Sequence, residues 1–305
     1  MERLFYFLCI IFCTFAADAS AKVQLIWQVG ENFCEIDWVK EVLSLADYEE
    51  IIDGNYKTIR NHAIIVVSEP TKASQAYFNK LRRRKYKFGI IHLSDEFYQH
   101  DTAFYAGAQF ILRNLWHKKF KCNPKVFFFP LGYNKGFWSQ WDQKPLFNVS
   151  ERQYSWSFAG QIKHKPNRKR MVQAMKNIPS HFFHETFQFG DSKGLSRHDY
   201  RQLMLDTIFI PCPTGFWNLD SFRVYEALEC GCIPIVLKQP LDYFKKQYGD
   251  HPFIAVDHWS EAPEIVNRLL DDPTALEERR QRCYKWWQKY KMRLKNQVAD
   301  LVKRL

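Results

Sequence analysis

The stretch Asp206–Leu237, DTIFIPCPTGFWNLDSFRVYEALECGCIPIVL, decides the fold. Thr207–Cys212 is a short apolar run rich in Ile and Phe, closed by Pro211 and Pro213, and reads as a strand. A loop carrying Gly215, Phe216 and Trp217 follows. Asp220 and Ser221 are helix-starting residues, because their side-chain oxygens accept from the unpaired amides of a first turn. Gly231 stops the helix, since glycine takes the left-handed conformation without a Cβ penalty. Ile233–Leu237 is wholly apolar, as expected of a central parallel strand covered on both faces.

Strand, helix and strand in that order predict a right-handed crossover in a parallel sheet. Ligands of such units lie at the carboxyl end of the first strand, where helix amides and dipole favour a phosphate. Arg223 adds a fork of donors for a diphosphate. Glu226, on the same face, suits a pair of ribose hydroxyls. The spacing of Arg223, Glu226 and Glu229 fits a solvated helix face with weak ion pairs equally well, so spacing alone leaves both readings open.

The run DSFRVYEALECGCIPIVL resembles the signature segment of exostosin-type glycosyltransferases, Ser-x-Arg-x-x-Glu-Ala-x-x-x-Gly-Cys-x-Pro. Upstream, SFAGQIKHKPNRKRM (157–171) is similar to that family's Phe-x-Gly segment and basic helix start. HLSDE (92–96) and FFFPLGYNKGF (127–137) resemble further blocks, and the order matches from about residue 88 to about 290. Within the family, the branch of xylosyltransferases that act on ribitol looks nearest. The resemblance implies a nucleotide-sugar site in the second half of the chain, with Gly160, Arg168, Ser221, Arg223 and Glu226 on the donor. It also implies inversion of configuration, which needs a single general base and no covalent intermediate.

The composition is compatible with this. The chain has 305 residues and 46% hydrophobic content, enough for two domains of ordinary size. A formal charge of +11 favours anionic partners. Residues 1–21 read as a secretory signal peptide: Arg3, an apolar run from Leu4 to Phe15, then small residues. An uncleaved anchor is the alternative. Later segments are too short and polar to span a bilayer, so the expected location is the lumen of the secretory pathway or outside the cell. That route argues against nucleic acid as the partner, as does the want of any nucleic-acid-binding motif. Of the eight cysteines, Cys9 and Cys13 would leave with the signal. The remaining six fit an oxidising compartment, with Cys34 and Cys122 as the expected pair. Asn148-Val149-Ser150 is an N-glycosylation sequon on an expected surface loop.

In chain order, strands are expected at 23–29, 63–67, 88–93, 110–116 and 126–129, with a helix over 71–84. Asp95 and Glu96, at the carboxyl end of a strand, are the candidate catalytic bases. Alternatively, Ser94 caps a helix whose first turn carries both. A polar connection up to about 150 divides a first Rossmann-like domain (22–150) from a nucleotide-sugar-binding one (151–275). Strands at 155–159, 182–189 and 252–256 and a helix capped by Ser196 complete the second. Cys283, Trp287, Tyr290, Leu294, Val298, Leu301 and Leu305 form an amphipathic stripe over 276–305, a helix expected to pack back on the first domain.

The expected fold is therefore α/β, two Rossmann-like domains facing a cleft in the GT-B arrangement. The expected activity is transfer of a sugar from a nucleoside diphosphate, uridine in first place, to a glycan or glycoprotein hydroxyl. No Asp-x-Asp triplet occurs, so cationic side chains and amides are expected to replace a metal on the diphosphate, and no cofactor is expected. The alternative is a secreted carbohydrate-binding protein that keeps the fold without turnover.

Overall fold

The computed structural model describes residues 22–30, 32–51, 62–138, 147–163, 165–188, 190–239 and 242–305. The expected signal peptide lies outside them. Among the described residues no helix is long and apolar enough to cross a membrane.

The first half builds a parallel sheet of six strands: β1 (Val23–Trp27), β2 (Tyr48–Ile51), β3 (Ala63–Val67), β4 (Phe88–His92), β5 (Phe110–Arg113) and β6 (Val126–Phe128). Their order is β2-β1-β3-β4-β5-β6. Between β1 and β2 runs α1 (Ile36–Leu43), and between β3 and β4 runs α2 (Lys72–Arg83). Central β3 and β4 are buried throughout, which is why β3 reads Ala-Ile-Ile-Val-Val without a polar residue, and β4 is apolar up to His92. Thr71 caps α2, its hydroxyl accepting the Ser74 amide at 3.2 Å, and basic residues fill the last turn, where the dipole favours them.

The reading of this first stretch is corrected in three places. β1 ends at Trp27, two residues short of expectation, and β2 was not expected at all. β2 reads Tyr-Glu-Glu-Ile because it is an edge strand, where charge blunts further pairing. Glu50 accepts from the indole of Trp27 at 2.9 Å and pairs with Lys40 at 3.0 Å. Helix α1 was also missed, although Trp38, Val39, Val42 and Leu43 form a buried helical face.

The second half builds a five-stranded parallel sheet in the order β11-β10-β9-β7-β8. Its elements are β7 (Tyr154–Gln161), α3 (Pro166–Met175), β8 (His181–Thr186), α4 (Arg197–Leu205), β9 (Thr207–Cys212), α5 (Phe222–Glu229), β10 (Ile233–Leu237), α6 (Tyr243–Tyr248), β11 (Ile254–Val256), α7 (Ala262–Leu270) and α8 (Pro273–Val302). The crossover β9–α5–β10 has the expected bounds, and Gly231 takes φ +66°. Pro211 is accommodated inside β9 because it lies beyond Phe209, the last β9 residue in register with β7.

Three expectations about caps and cysteines fail. Ser221 is the N-cap of α5, but its side chain makes no cap bond. Asp220 is no cap either: its carboxylate accepts the hydroxyls of Tyr225 (2.7 Å) and Tyr243 (2.9 Å) instead. No helix follows Ser94, which adopts φ +59°. Cys34 and Cys122 are free thiols, as are Cys212, Cys230, Cys232 and Cys283.

Helix α8 joins the two halves. Every member of its expected stripe is buried or half-buried. The Trp287 indole stacks on Trp38 of α1 at 5.7 Å and donates to Glu229 of α5 at 2.8 Å. Lys291 pairs with the same carboxylate at 2.7 Å, and Lys295 pairs with Glu41 of α1 at 2.6 Å. Glu229 is fully buried, so it is not on the solvated face that its spacing allowed. Removing one partner of a buried pair strands the other charge. Glu229→Ala is therefore expected to cost about 3–5 kcal/mol in urea unfolding. Glu229→Gln combined with Lys291→Met should recover most of that loss; equal loss in both proteins would refute the pairing as its cause.

Candidate functional site

On the second sheet, the carboxyl ends of β7 and β9 face the start of α5. Gly160 ends the β7 side with φ +154°, and a Cβ there would stand 3.0 Å from Nη2 of Arg223. The positive φ favours glycine there, and a side chain would also push the Arg223 guanidinium aside. Arg223 lies on the Phe158 ring at 4.3 Å, and its Nη2 donates to the Ala159 carbonyl at 2.7 Å. Gly215 is required as well, because a Cβ there would come within 2.7 Å of the Asp220 carbonyl. The Ser221 hydroxyl is buried without a hydrogen-bond partner.

Arg168 is brought to the same place, but its donors are largely committed. Nε and Nη2 reach the Thr214 carbonyl at 3.3 and 3.1 Å, Nη2 also reaches Gly215 at 3.1 Å, and Nη1 reaches Gln161 at 2.9 Å. It braces the β9–α5 loop against the end of β7. Burial and then the charge of Arg223 push its guanidinium down to about 10. Two cations are thus held beside one another at a helix start, an arrangement that an anion relieves. Glu226 is buried and accepts the Asn134 amide at 3.3 Å, which ties α5 to the connection between the sheets. Burial, opposed by that amide and by Arg223, pushes its carboxyl up to about 7.

The first sheet supplies acids. Asp95 is buried and pairs with Arg113 at 2.6 Å, while its other oxygen accepts the amides of Gln99 (2.9 Å) and His100 (3.3 Å). Burial alone would raise its carboxyl, but Arg113 holds it below the ordinary range. Glu96 faces the second domain. Asn218, in the β9–α5 loop, donates its side-chain amide to the Glu96 carbonyl at 2.9 Å and to the Glu96 carboxylate at 2.8 Å. Burial pushes Glu96 up against the pull of those hydrogen bonds. Tyr98 donates to Asn218 as well.

Beneath this loop lies Glu35, fully buried just before α1. It accepts from the Ser94 hydroxyl at 3.1 Å and from Asn114, whose carbonyl accepts the Ser94 amide at 2.9 Å. This clamp holds Ser94 in its left-handed conformation and so aims Asp95 down and Glu96 outward. Neither Glu35, Asn114, Arg113 nor Asn218 was expected at the site. Each is far from Glu96 in sequence, and lone polar residues carry no periodic signal. Asn148 is exposed, as a sequon requires.

Among the described residues, His92, Asp95 and His100 have metal-ligating atoms within 4.8 Å of one another. The hydrogen bonds disfavour a cation there. Arg113 Nη1 is 2.6 Å from His92 Nδ1, and guanidinium can only donate, so Nδ1 is the acceptor. Burial, then Arg113, hold His92 neutral. Its proton is then on Nε2, directed at His100 Nδ1 at 3.0 Å. The positive charge is already supplied by Arg113. A cavity of about 440 Å³ lies elsewhere, lined by Lys238, His251, Phe253 and Arg279 among others, and shares no residue with this site.

The family described as the RXYLT1 C-terminal domain matches residues 136–305, more than half of the chain. The chain belongs to that family. Gly160, Arg168, Ser221, Arg223 and Glu226 lie inside the matched residues, whereas Asp95 and Glu96 lie outside them. Human ribitol-5-phosphate xylosyltransferase 1 is 24% identical over 176 residues, 50% of this chain and 38% of that enzyme. Bovine exostosin-1 is 30% identical over 80 residues, 26% of this chain and 10% of that protein. This RXYLT1-family chain thus matches well under half the length of these relatives. A DNA-modifying β-glucosyltransferase, solved with and without uridine diphosphoglucose, superposes with a TM-score of 0.55 at 12% identity, covering 92% of this chain and 99% of that one. The likeness establishes the fold as GT-B.

The buried acids of this RXYLT1-family chain have a consequence for pH. Burial pushes Glu35 up to about 8 from an ordinary 4.5, against the pull of Ser94 and Asn114. Asp220 and Glu226 are shifted in the same direction, each to about 7. Between those limits the folded chain keeps protons that the unfolded chain has released. The stability they contribute is complete below the unfolded values and is lost as pH rises through the folded ones. Urea midpoints are expected to fall from about pH 5 to about pH 8, and Glu35→Gln to flatten that slope. An unchanged slope in the variant would show that Glu35 does not titrate in this range.

Proposed function

We propose that the protein is a glycosyltransferase that moves a sugar from a uridine diphosphate sugar to a hydroxyl of a glycan or glycoprotein in the secretory pathway, with inversion and without a metal. The observation that carries the reading is the convergence of Arg168 and Arg223 beside Gly160 at the start of α5. In support, related and similarly folded proteins are described as sugar transferases, one of them with uridine diphosphoglucose as its substrate.

In this scheme the diphosphate lies against the first amides of α5, with Arg223 as its side-chain donor. Arg168 keeps the loop in shape and adds charge. These preorganised groups act most strongly on the charge that develops as the bond from the anomeric carbon to the diphosphate breaks. The unpartnered Ser221 hydroxyl is a further donor to the phosphates. Glu226 is the candidate for the ribose hydroxyls, once released from the Asn134 amide.

Glu96 is the general base. The acceptor hydroxyl gives its proton to the Glu96 carboxylate while its oxygen attacks the anomeric carbon from the side opposite the leaving diphosphate. A raised pKa suits that task near neutral pH. Asp95, locked to Arg113, instead keeps the loop in place.

Uridine diphosphate is expected to raise the melting temperature of the full chain, and Arg223→Ala to abolish that shift while the protein stays folded. Glu96→Gln should keep the shift but lose about 100-fold or more in turnover. An Arg223→Ala protein still stabilised by uridine diphosphate would overturn the donor site. Transfer is expected to persist in EDTA; loss there with rescue by manganese would overturn the metal-free step.

A further inference from the structure

Three of the large side chains that the protein leaves exposed lie together at one edge of this site. Phe97 is 48% exposed, Phe216 64% and Trp217 68%. The Phe97 ring stands 5.6 Å from Trp217 and 6.2 Å from Phe216, so the cluster spans the two domains. Lys165 lies over the Phe216 ring at 4.3 Å and donates to the Phe216 carbonyl at 3.1 Å, which holds the outer end of the group in place. Leaving aromatic surface in water forgoes burial energy, and a contiguous patch rimmed by polar groups marks a binding surface.

We infer that this patch is the platform for the acceptor, and that it takes a sugar ring of the acceptor glycan face-on. The inference rests on the reading of Glu96 as the base. Phe97 follows Glu96 directly, and Trp217 precedes Asn218, the residue that holds the Glu96 carboxylate. Phe97 and Trp217 are tilted by 48°, so a sugar ring that lies face-on against Trp217 meets Phe97 along its edge, and its neighbouring hydroxyls come next to Glu96. The apolar face of a pyranose matches an aromatic surface, while its rim of hydroxyls needs polar partners, which Lys165 and Glu96 provide. The rings come from both domains, as does the Asn218–Glu96 contact beside them.

The test uses the full chain, a panel of soluble neutral and acidic oligosaccharides, and saturation-transfer difference NMR. At least one oligosaccharide is expected to receive saturation through its ring protons. Its binding should weaken about tenfold in Trp217→Ala and in Phe97→Ala, and recover in Trp217→Phe. The uridine diphosphate melting shift, which reads the other side of the site, is measured on every variant. Oligosaccharide binding that is absent, or equal in wild type and both alanine variants, overturns the platform. Capture of neutral phosphatidylcholine vesicles through the same rings without any oligosaccharide contact overturns it in favour of a membrane surface. A wild-type chain without the uridine diphosphate shift but with ring-dependent oligosaccharide binding would sink the donor reading and support the platform.

Discussion

The indole of Trp287 ties the two halves of the molecule together. It stacks on Trp38 of the first domain and hydrogen-bonds to the buried Glu229 of the second, with Lys291 on the same carboxylate. A ring that is fully buried and bonded at its only polar atom has one orientation. Trp38 is fixed in turn: its indole donates to the Pro130 carbonyl at 2.8 Å, and Gly132, at φ +71°, leaves no room for a Cβ against it. The connection between the sheets therefore packs into the same knot as the terminal helix. That knot sets how the two domains face each other, and everything at the cleft depends on it.

Given that setting, the two sides of the cleft have opposite chemistry. The second domain presents Arg168, Arg223 and the start of α5; the first presents Glu96, held outward by the clamp of Glu35, Asn114 and Ser94. Asn218 crosses between them. The polar groups below are committed to one another, Asp95 to Arg113 and His92 to Arg113, Tyr105 and His100. Such a layer is rigid because each lost bond would leave a buried group unsatisfied. It holds the loop that carries Glu96.

Legibility in the chain followed physical locality. The crossover β9–α5–β10 could be read to the residue because apolar runs, a glycine stop and a helix start are all written within about thirty positions. The stripe of α8 was equally plain, since seven apolar residues at helical spacing need no partner to be recognised. By contrast, α1 and β2 escaped notice. The edge strand carries the charges that edge strands need, and the helix is too short for its periodicity to stand out. Ser94 looked like a cap because the residue types were right, and only the clamp from Glu35 and Asn114 turns it into a left-handed bend.

The amino-acid order by itself determined the alternation of strands and helices and the parallel crossover. Those depend on interactions between near neighbours, chiefly side-chain periodicity and backbone freedom at glycine. Tertiary structure alone decided which of two adjacent carboxylates faces the cleft. It also turned Arg168 into a brace rather than an open donor, and gave Glu229 to α8 rather than to solvent. Each of these outcomes depends on desolvation and on partners from other elements of the chain, and neither quantity is written in local sequence.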